Sequence, residues 1–403
     1  MADDDDSYTN GNDDSCTEVT STGWGSRLSG SFKGIFGGLV LFVLATGLMY
    51  WNEGNSVRTG DAIAEAERVA VELADISRVD AAFNGKVVHA AGRAATQETM
   101  TDPLFGVSAK AISLRRAVEY YQWVENTKSE TRQKLGGGEE TVTTYTYARQ
   151  WVDEPVDSAN FKKPEKHRNH VKAQIKSEQW QAADVTLGAY RLPAFLVSEI
   201  EGRRALHTGL NEADVAGIQR ELSVEEPVRV RAQDNMLYLG DSPSAPQVGD
   251  VRVSFSEVPP ADISVIAKVY GGTFEAFRAS NGTAFSELRM GMMSMDAMFQ
   301  SARDDNEVMT WILRIIATVL AIGGLWLLLM PLKVLADVLP LLGSLVGVGT
   351  GLIACVVGLA WSLVVIALSW LRFRPLLALC LLGVAAALVG VLFLMRRKTG
   401  AAA

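Results

Sequence analysis

From Trp311 to Met395 the chain carries only five charged residues: Arg314, Lys333, Asp337, Arg372 and Arg374. A soluble domain cannot bury so long a stretch with so little charge, so the fold has to include membrane spans. The hydrophobic share of 48% over 403 residues hides this split. Charge is equally uneven. Asp3, Asp4, Asp5, Asp6, Asp13, Asp14 and Glu18 account for most of the net −8, and no basic residue precedes Arg27. The rest of the chain is close to neutral, which points away from a nucleic-acid binder. Cys16 lies in the polar tail, and Cys355 and Cys380 lie in apolar segments. That leaves no disulfide framework and no Cys-rich zinc site.

Residues 1–30 are too polar to build a core and are expected to be a disordered, cytoplasmic acidic tail. The segment 31–51 reads as the first transmembrane helix. Its uncharged run from Gly34 to Trp51 reaches about 27 Å and closes on the interfacial pair Tyr50-Trp51. A cleaved signal peptide fits less well, given the acidic lead-in and the bulky residues where a cleavage site belongs. Residues 52–306 read as a β-rich domain. It opens on a helical pattern from Asp61 to Ile76. A hairpin is expected at Asn84-Gly85, between Val79–Phe83 and Lys86–Ala90. A longer one joins Ser113–Arg132 to Glu140–Trp151 through Gly136-Gly137-Gly138. Strands are expected at 228–232, 236–239, 251–255 and 263–270. Whether this block is one lobe or two, divided near Pro227, is left open by the pattern. The methionines Met290, Met292, Met293, Met295 and Met298 suggest either a core helix or an adaptable face leading to the membrane.

The second span is expected over 307–330, with Arg314 snorkelling and Pro331 ending the helix. Residues 338–370 are uncharged and, as one helix, would reach about 50 Å, beyond a hydrocarbon core of about 30 Å. A re-entrant or interfacial lead, Leu339–Val346, followed by the third span resolves that excess. The last span reads over 375–395, and 396–403 is a basic cytoplasmic tail. Four spans put both ends on one side. Arg27, Lys33, Arg396, Arg397 and Lys398 make that side the cytoplasm, at the cost of placing Arg372 and Arg374 outside. The expected class is a multi-pass α-helical membrane protein of four spans. It carries a large β-rich α+β extracytoplasmic or lumenal domain between spans 1 and 2.

Gly343, Gly347 and Gly351 put small residues on one helix face, and Gly34 and Gly38 repeat the spacing in the first span. These five are the candidates for helix packing within the chain or for oligomerisation. Tyr121, Trp123 and Glu125 share one face of a strand and form a candidate partner-binding strip, unless the aromatics are simply core. Ionisable groups near mid-membrane are nearly absent, which disfavours a transporter. His167 and His170 lie in a basic loop and read as structural or solvated, and no HExxH, GxSxG or phosphate loop occurs. No catalytic, cofactor-binding or metal-binding residues are assigned. A hydrolase using Asp102, Glu119 or Glu125, or a subunit of an oligomeric channel, is the alternative.

Several stretches then resemble, in order, the LUMA family, the transmembrane protein 43 family. They are Trp51-Asn52-Glu53-Gly54, Leu114 to Glu125, Tyr147 to Trp151, Gly249 to Phe255, Thr310-Trp311-Ile312-Leu313-Arg314, Ala336 to Pro340, and Trp370 to Pro375. The resemblance implies four spans and a large domain between the first two. It also implies a self-associating scaffold that organises membrane and envelope protein complexes. In animals that means the endoplasmic reticulum and the inner nuclear membrane, with emerin and lamins as partners. The use of 25 Arg against 13 Lys suits a bacterial member in the inner (cytoplasmic) membrane, for which those partners drop out. The family supplies no catalytic residues to carry over.

Overall fold

The computed structural model describes residues 7–9, 15–223, 227–233, 235–371 and 375–400. Six helices appear among them: α1 (Trp24–Val69), α2 (Ala194–Val197), α3 (Glu212–Leu222), α4 (Met295–Ala336), α5 (Pro340–Trp370) and α6 (Pro375–Gly400). α1, α4 and α5 are long and apolar enough to cross a membrane, and α6 contains a shorter apolar stretch, Ala378–Gly390. The chain is therefore a helical membrane protein with a large β-rich domain.

α1 and α4 define the architecture. The first span and the helical pattern from Asp61 are one helix of 46 residues, and it stops at Val69 rather than Ile76. Beyond it, Val71 and Glu72 extend and pair in parallel with Val88 and His89. The buried face of α1 carries Ser31, Gly38, Ala45 and Asn52, one small or polar residue every seven. The buried face of α4 carries Thr310, Ala317, Gly324 and Pro331 at the same interval. A strict seven-residue repeat holds one helix face against its partner, and small residues let the backbones approach closely. At Gly38 an added Cβ would lie 2.7 Å from the Gly324 carbonyl, and at Gly324 it would lie 2.8 Å from the Gly38 carbonyl. Fourteen residues further along each helix, Asn52 Nδ2 donates to the Thr310 carbonyl at 3.1 Å. The two contacts fix one antiparallel register.

Two sequence expectations fail at the other end of this pair. Pro331 does not end α4, which runs to Ala336. Pro331 is buried in the seam, where packing compensates for its missing hydrogen bond, as membrane helices allow. The stretch after Leu339 is not a separate re-entrant piece either. Leu339 has extended backbone and Pro340 starts a single 31-residue helix. Proline at a first helical position is preorganised for that role. The turn with Arg372 and Arg374 lies outside the described residues.

The domain holds two main sheets whose strands interleave in sequence, so no division falls at Pro227. Seven strands carry the argument: β1 (Ser15–Thr22), β2 (Val87–Thr96), β3 (Ser113–Gln133), β4 (Glu139–Val152), β5 (Met236–Leu239), β6 (Val251–Val258) and β7 (Ala261–Tyr270). In the first sheet the order is β1-β4-β3-β6-β5, followed by Val230–Gln233. The second is built on the antiparallel pair β2 and β7. Each has its own core. Val118, Tyr120, Leu237, Val253 and Phe255 pack in the first, and Val88, Val185, Tyr190, Ile263 and Val265 in the second. A third core joins the domain to the long helices. Ala62, Ile63 and Ala66 of α1 and Met298, Phe299 and Ala302 of α4 pack on Val87, Ile266 and Phe285. The methionine-rich segment thus feeds a core helix, although Met292 is exposed.

The long hairpin forms as expected, within a residue at each boundary, and closes through Gly136 and Gly137, both at positive φ. Part of the acidic tail departs from expectation. Ser15–Thr22 is strand β1, paired along β4 from Glu139 to Thr146 and with Ser7–Thr9 on its other side, and its β-branched Thr and Val residues suit a strand. At the tip, Trp24 abuts Gly137, Arg27 Nη1 donates to the Gly137 carbonyl, and Arg27 pairs with Glu139 at 2.6 Å. The Asn84-Gly85 hairpin does not form. Ala81–Phe83 is a 3-10 turn capped by the Asp80 carboxylate, and β2 takes β7 and Val71–Glu72 as neighbours.

Gly38→Leu or Gly324→Leu would force the two backbones apart. Each is expected to destabilise the purified protein by about 1–3 kcal/mol or more. Gly34, with nothing near its Cβ position, should tolerate leucine. Thermal unfolding in one detergent compares the three, and equal loss at Gly34 and Gly38 would contradict the seam.

Candidate functional site

Three of the separated sequence stretches meet where the apolar parts of α1, α4 and α5 end on the domain side. Trp51-Asn52-Glu53-Gly54 lies on α1, Thr310 to Arg314 on α4, and Trp370 closes α5. Glu53 is buried and accepts from Arg314 Nε at 2.6 Å and Nη2 at 2.7 Å. Trp370 Nε1 donates to the same carboxylate at 2.5 Å. The Arg314 guanidinium lies 4.8 Å from the Trp311 ring centroid and 5.4 Å from that of Trp370. Arg314 does not snorkel alone. A bidentate pair and two indoles hold it, an arrangement that suits a planar cation with donors in a fixed fork. Ser56 and Thr310 share a hydroxyl–hydroxyl bond of 2.8 Å just outside it.

A second charged cluster closes the far end of the same helices. Asp337 is fully buried, and its Oδ2 is shared by Arg27 at 2.7 Å, Gln133 at 3.1 Å and Lys333 at 3.3 Å. Trp24 Nε1 donates to the Val334 carbonyl at 2.8 Å. Gly343 faces this carboxylate, and a Cβ there would collide with Asp337 Oδ1. Gly347 lies against the Lys333 side chain, with Cε 3.1 Å from the Cβ position. The expected glycine stripe therefore splits. Gly343 and Gly347 pack inside the chain, whereas Gly351 and Gly34 have no neighbour near the Cβ position. Gly38 belongs to the α1–α4 seam. Gly324 and Gly358, which the stripe missed, are packed more tightly than Gly351. A Cβ on Gly358 would meet Ile322 Cγ1 at 2.5 Å.

The strip of β3 is already engaged by its own chain. Tyr121 packs on Trp151 at 5.2 Å, and Trp123 lies edge-on to His167 at 4.8 Å with Arg149 at 5.2 Å. Glu125 accepts from the Tyr147 hydroxyl and the Lys162 N–H, each at 2.7 Å. Burial, reinforced by the bond to Glu125, pushes the Tyr147 hydroxyl well above its ordinary range. His167 is buried and stacked on Tyr147 at 3.7 Å, which makes it a packing residue. Asp102 pairs with Arg116 at 2.7 Å and accepts the Leu104 and Phe105 N–H groups. Glu119 holds Arg252 through two bonds of 2.5 and 2.7 Å. Each of the three carboxylates considered for hydrolysis has its own partner. Among the described residues no three His, Cys, Asp or Glu side chains gather as a metal site.

A family model described as Transmembrane protein 43 matches residues 120–375, which include Arg314, Asp337 and Trp370. Transmembrane protein 43 of Mus musculus is 31% identical over 373 residues, covering 90% of each chain. That of Homo sapiens is 30% identical over 375 residues with the same coverage. The Drosophila melanogaster homolog is 28% identical over 356 residues, covering 86% of this chain and 90% of its own. These relatives are named as membrane proteins and not as enzymes. No solved structure matches.

Removing Glu53 alone strands a buried guanidinium. Glu53→Ala is expected to cost about 3–5 kcal/mol, and the double change Glu53→Met with Arg314→Met far less. Unfolding midpoints of wild type, single and double variants test this. A single variant as stable as wild type would deny the pair its structural role.

Proposed function

Because the chain belongs to the transmembrane protein 43 family, we propose that it is a non-enzymatic membrane scaffold that self-associates and organises other membrane or envelope proteins. In this reading α6 is a fourth span, both ends are cytoplasmic, and residues 52–306 lie outside or in a lumen except for the β3–β4 ribbon, which reaches back along the spans to Arg27. The membrane is the inner one in a bacterial cell, or the endoplasmic reticulum and inner nuclear membrane in a eukaryotic one. Two features support a structural role. The seam of α1 and α4 runs without a joint from the apolar spans into the domain core, so the domain is held rigidly to the membrane. The buried charges at both ends of that seam are taken up within the chain.

The observation that carries self-association is the β3–β4 ribbon. From Arg27 to Glu53, α1 rises about 39 Å, enough to cross a bilayer. The ribbon starts in the domain core at Tyr120, and its tip touches Arg27. Its polar strands, with exposed Lys128, Glu130 and Arg132, thus run beside the spans over that depth. β1 covers the β4 edge from Glu139 to Thr146, but the β3 edge from Glu125 to Gln133 pairs with no second strand among the described residues, and a polar strand with an open edge cannot face lipid. Protein has to wall the ribbon off, and a second copy is the cover the chain itself supplies. An oligomer enclosing water around the same ribbon would be a channel, which is the second reading.

Crosslinking and native mass of the membrane-embedded protein test the proposal. The wild type should give a discrete oligomer, and Gly351→Leu, which adds bulk to an open helix face, should shift most of it to monomer. An Arg27→Cys with Glu139→Cys pair should form a disulfide in intact membranes, which reports the ribbon tip. Monomers alone, in membranes and in mild detergent, would overturn the proposal.

A further inference from the structure

Directly outward of the Glu53–Arg314 pair, α1 and α4 enclose a cleft of about 550 Å³. That volume is in the range of ligand sites. We propose that this cleft holds the headgroup of a zwitterionic phospholipid, its phosphate diester on Arg314 and its amine on Glu307 and Asp61. The inference rests on the membrane reading above and is indifferent to self-association.

Its position comes first. Trp311, which is exposed, and Trp370 sit at the base of the cleft, at the end of the apolar segments. Indoles at that depth mark the headgroup level of a bilayer. On the membrane side Ile312 and Ile315 are exposed and offer an apolar wall to acyl chains.

The order of charge comes second. Moving outward, the cleft presents Arg314 and then, about 10 Å up α4, Glu307, with Asp61 further out on α1. A phospholipid has its phosphate next to the glycerol and its amine beyond it, in the same sequence. Glu53 occupies Arg314 Nε and Nη2, which leaves Nη1 outside that pair. Glu307 and Asp61 are exposed, and neither enters an ion pair among the described residues. Arg303, also in the lining, is held by Glu67 at 2.8 Å. With both arginines matched by a glutamate, two carboxylates are left over. They favour an amine in the outer half of the cleft and repel a headgroup that carries only negative charge.

The test uses the full chain in mild detergent, with phosphatidylcholine and phosphatidylglycerol of equal chain length, and counts retained lipid by native mass. Wild type should retain phosphatidylcholine in preference, on the order of tenfold. Asp61→Asn with Glu307→Gln, two exposed positions that leave the fold intact, should bring the preference close to one. Equal retention of both lipids by wild type, or an unchanged preference in the variant, would overturn the proposal. So would glycerophosphocholine binding as tightly as the lipid, since that would assign the cleft to a soluble ligand.

Discussion

Two helices touching backbone to backbone at Gly38 and Gly324 set the geometry of everything else in this molecule. In a membrane the hydrophobic effect does not drive helices together, and close packing of small residues and buried polar bonds has to do so. The seam provides both. Its glycine and alanine positions bring the helices close over the apolar depth. Asn52 with Thr310, then Ser56 with Thr310, continue the contact where water becomes available. Past that level the same helix faces turn apolar again and enter the domain core at Ala62, Ile63, Met298 and Phe299.

The charged clusters are consequences of that register. Placing Asn52 against Thr310 brings Glu53 within reach of Arg314, and α5 ends at the height where Trp370 completes the carboxylate's bonds. At the other end the register sets Arg27 beside Asp337, and the hairpin tip adds Gln133 and Glu139. A buried ion pair adds little net stability but is costly to break, so such pairs enforce a single alignment of the helices. This is how a long, nearly featureless apolar hairpin resists sliding by a turn.

Much of this was legible in the sequence. Charge depletion after Trp311 reveals the membrane helices, and Thr-, Val- and Tyr-rich runs around Gly136-Gly137-Gly138 reveal the long hairpin. What was missed has physical reasons. The small residues of the seam recur every seven positions on two helices more than two hundred residues apart, and neither series stands out alone. Pro331 and the end of the Leu339–Val346 lead looked like breaks because local propensity ignores burial in a helix bundle, whereas the chain breaks only between Ala336 and Pro340. Strand β1 was hidden in an acidic tail because its partner, β4, lies beyond a span. The glycine spacing alone left packing within the chain and oligomer contact both open, because the side chains that Gly343 and Gly347 accommodate, Asp337 and Lys333, lie in an earlier stretch of sequence. The motif stretches were recognisable, but only the fold shows that Glu53, Arg314 and Trp370 converge.

The account depends most on the α1–α4 register, and one crosslink tests it directly. With Cys16, Cys355 and Cys380 changed to serine, Ala45→Cys and Ala317→Cys are combined in the membrane-embedded protein. The register predicts a rapid disulfide within one chain, and none when the exposed Val43 carries the cysteine instead of Ala45. Failure of the Ala45–Ala317 pair to close within a chain, or equal closure from position 43, would contradict the seam and the arrangement built on it.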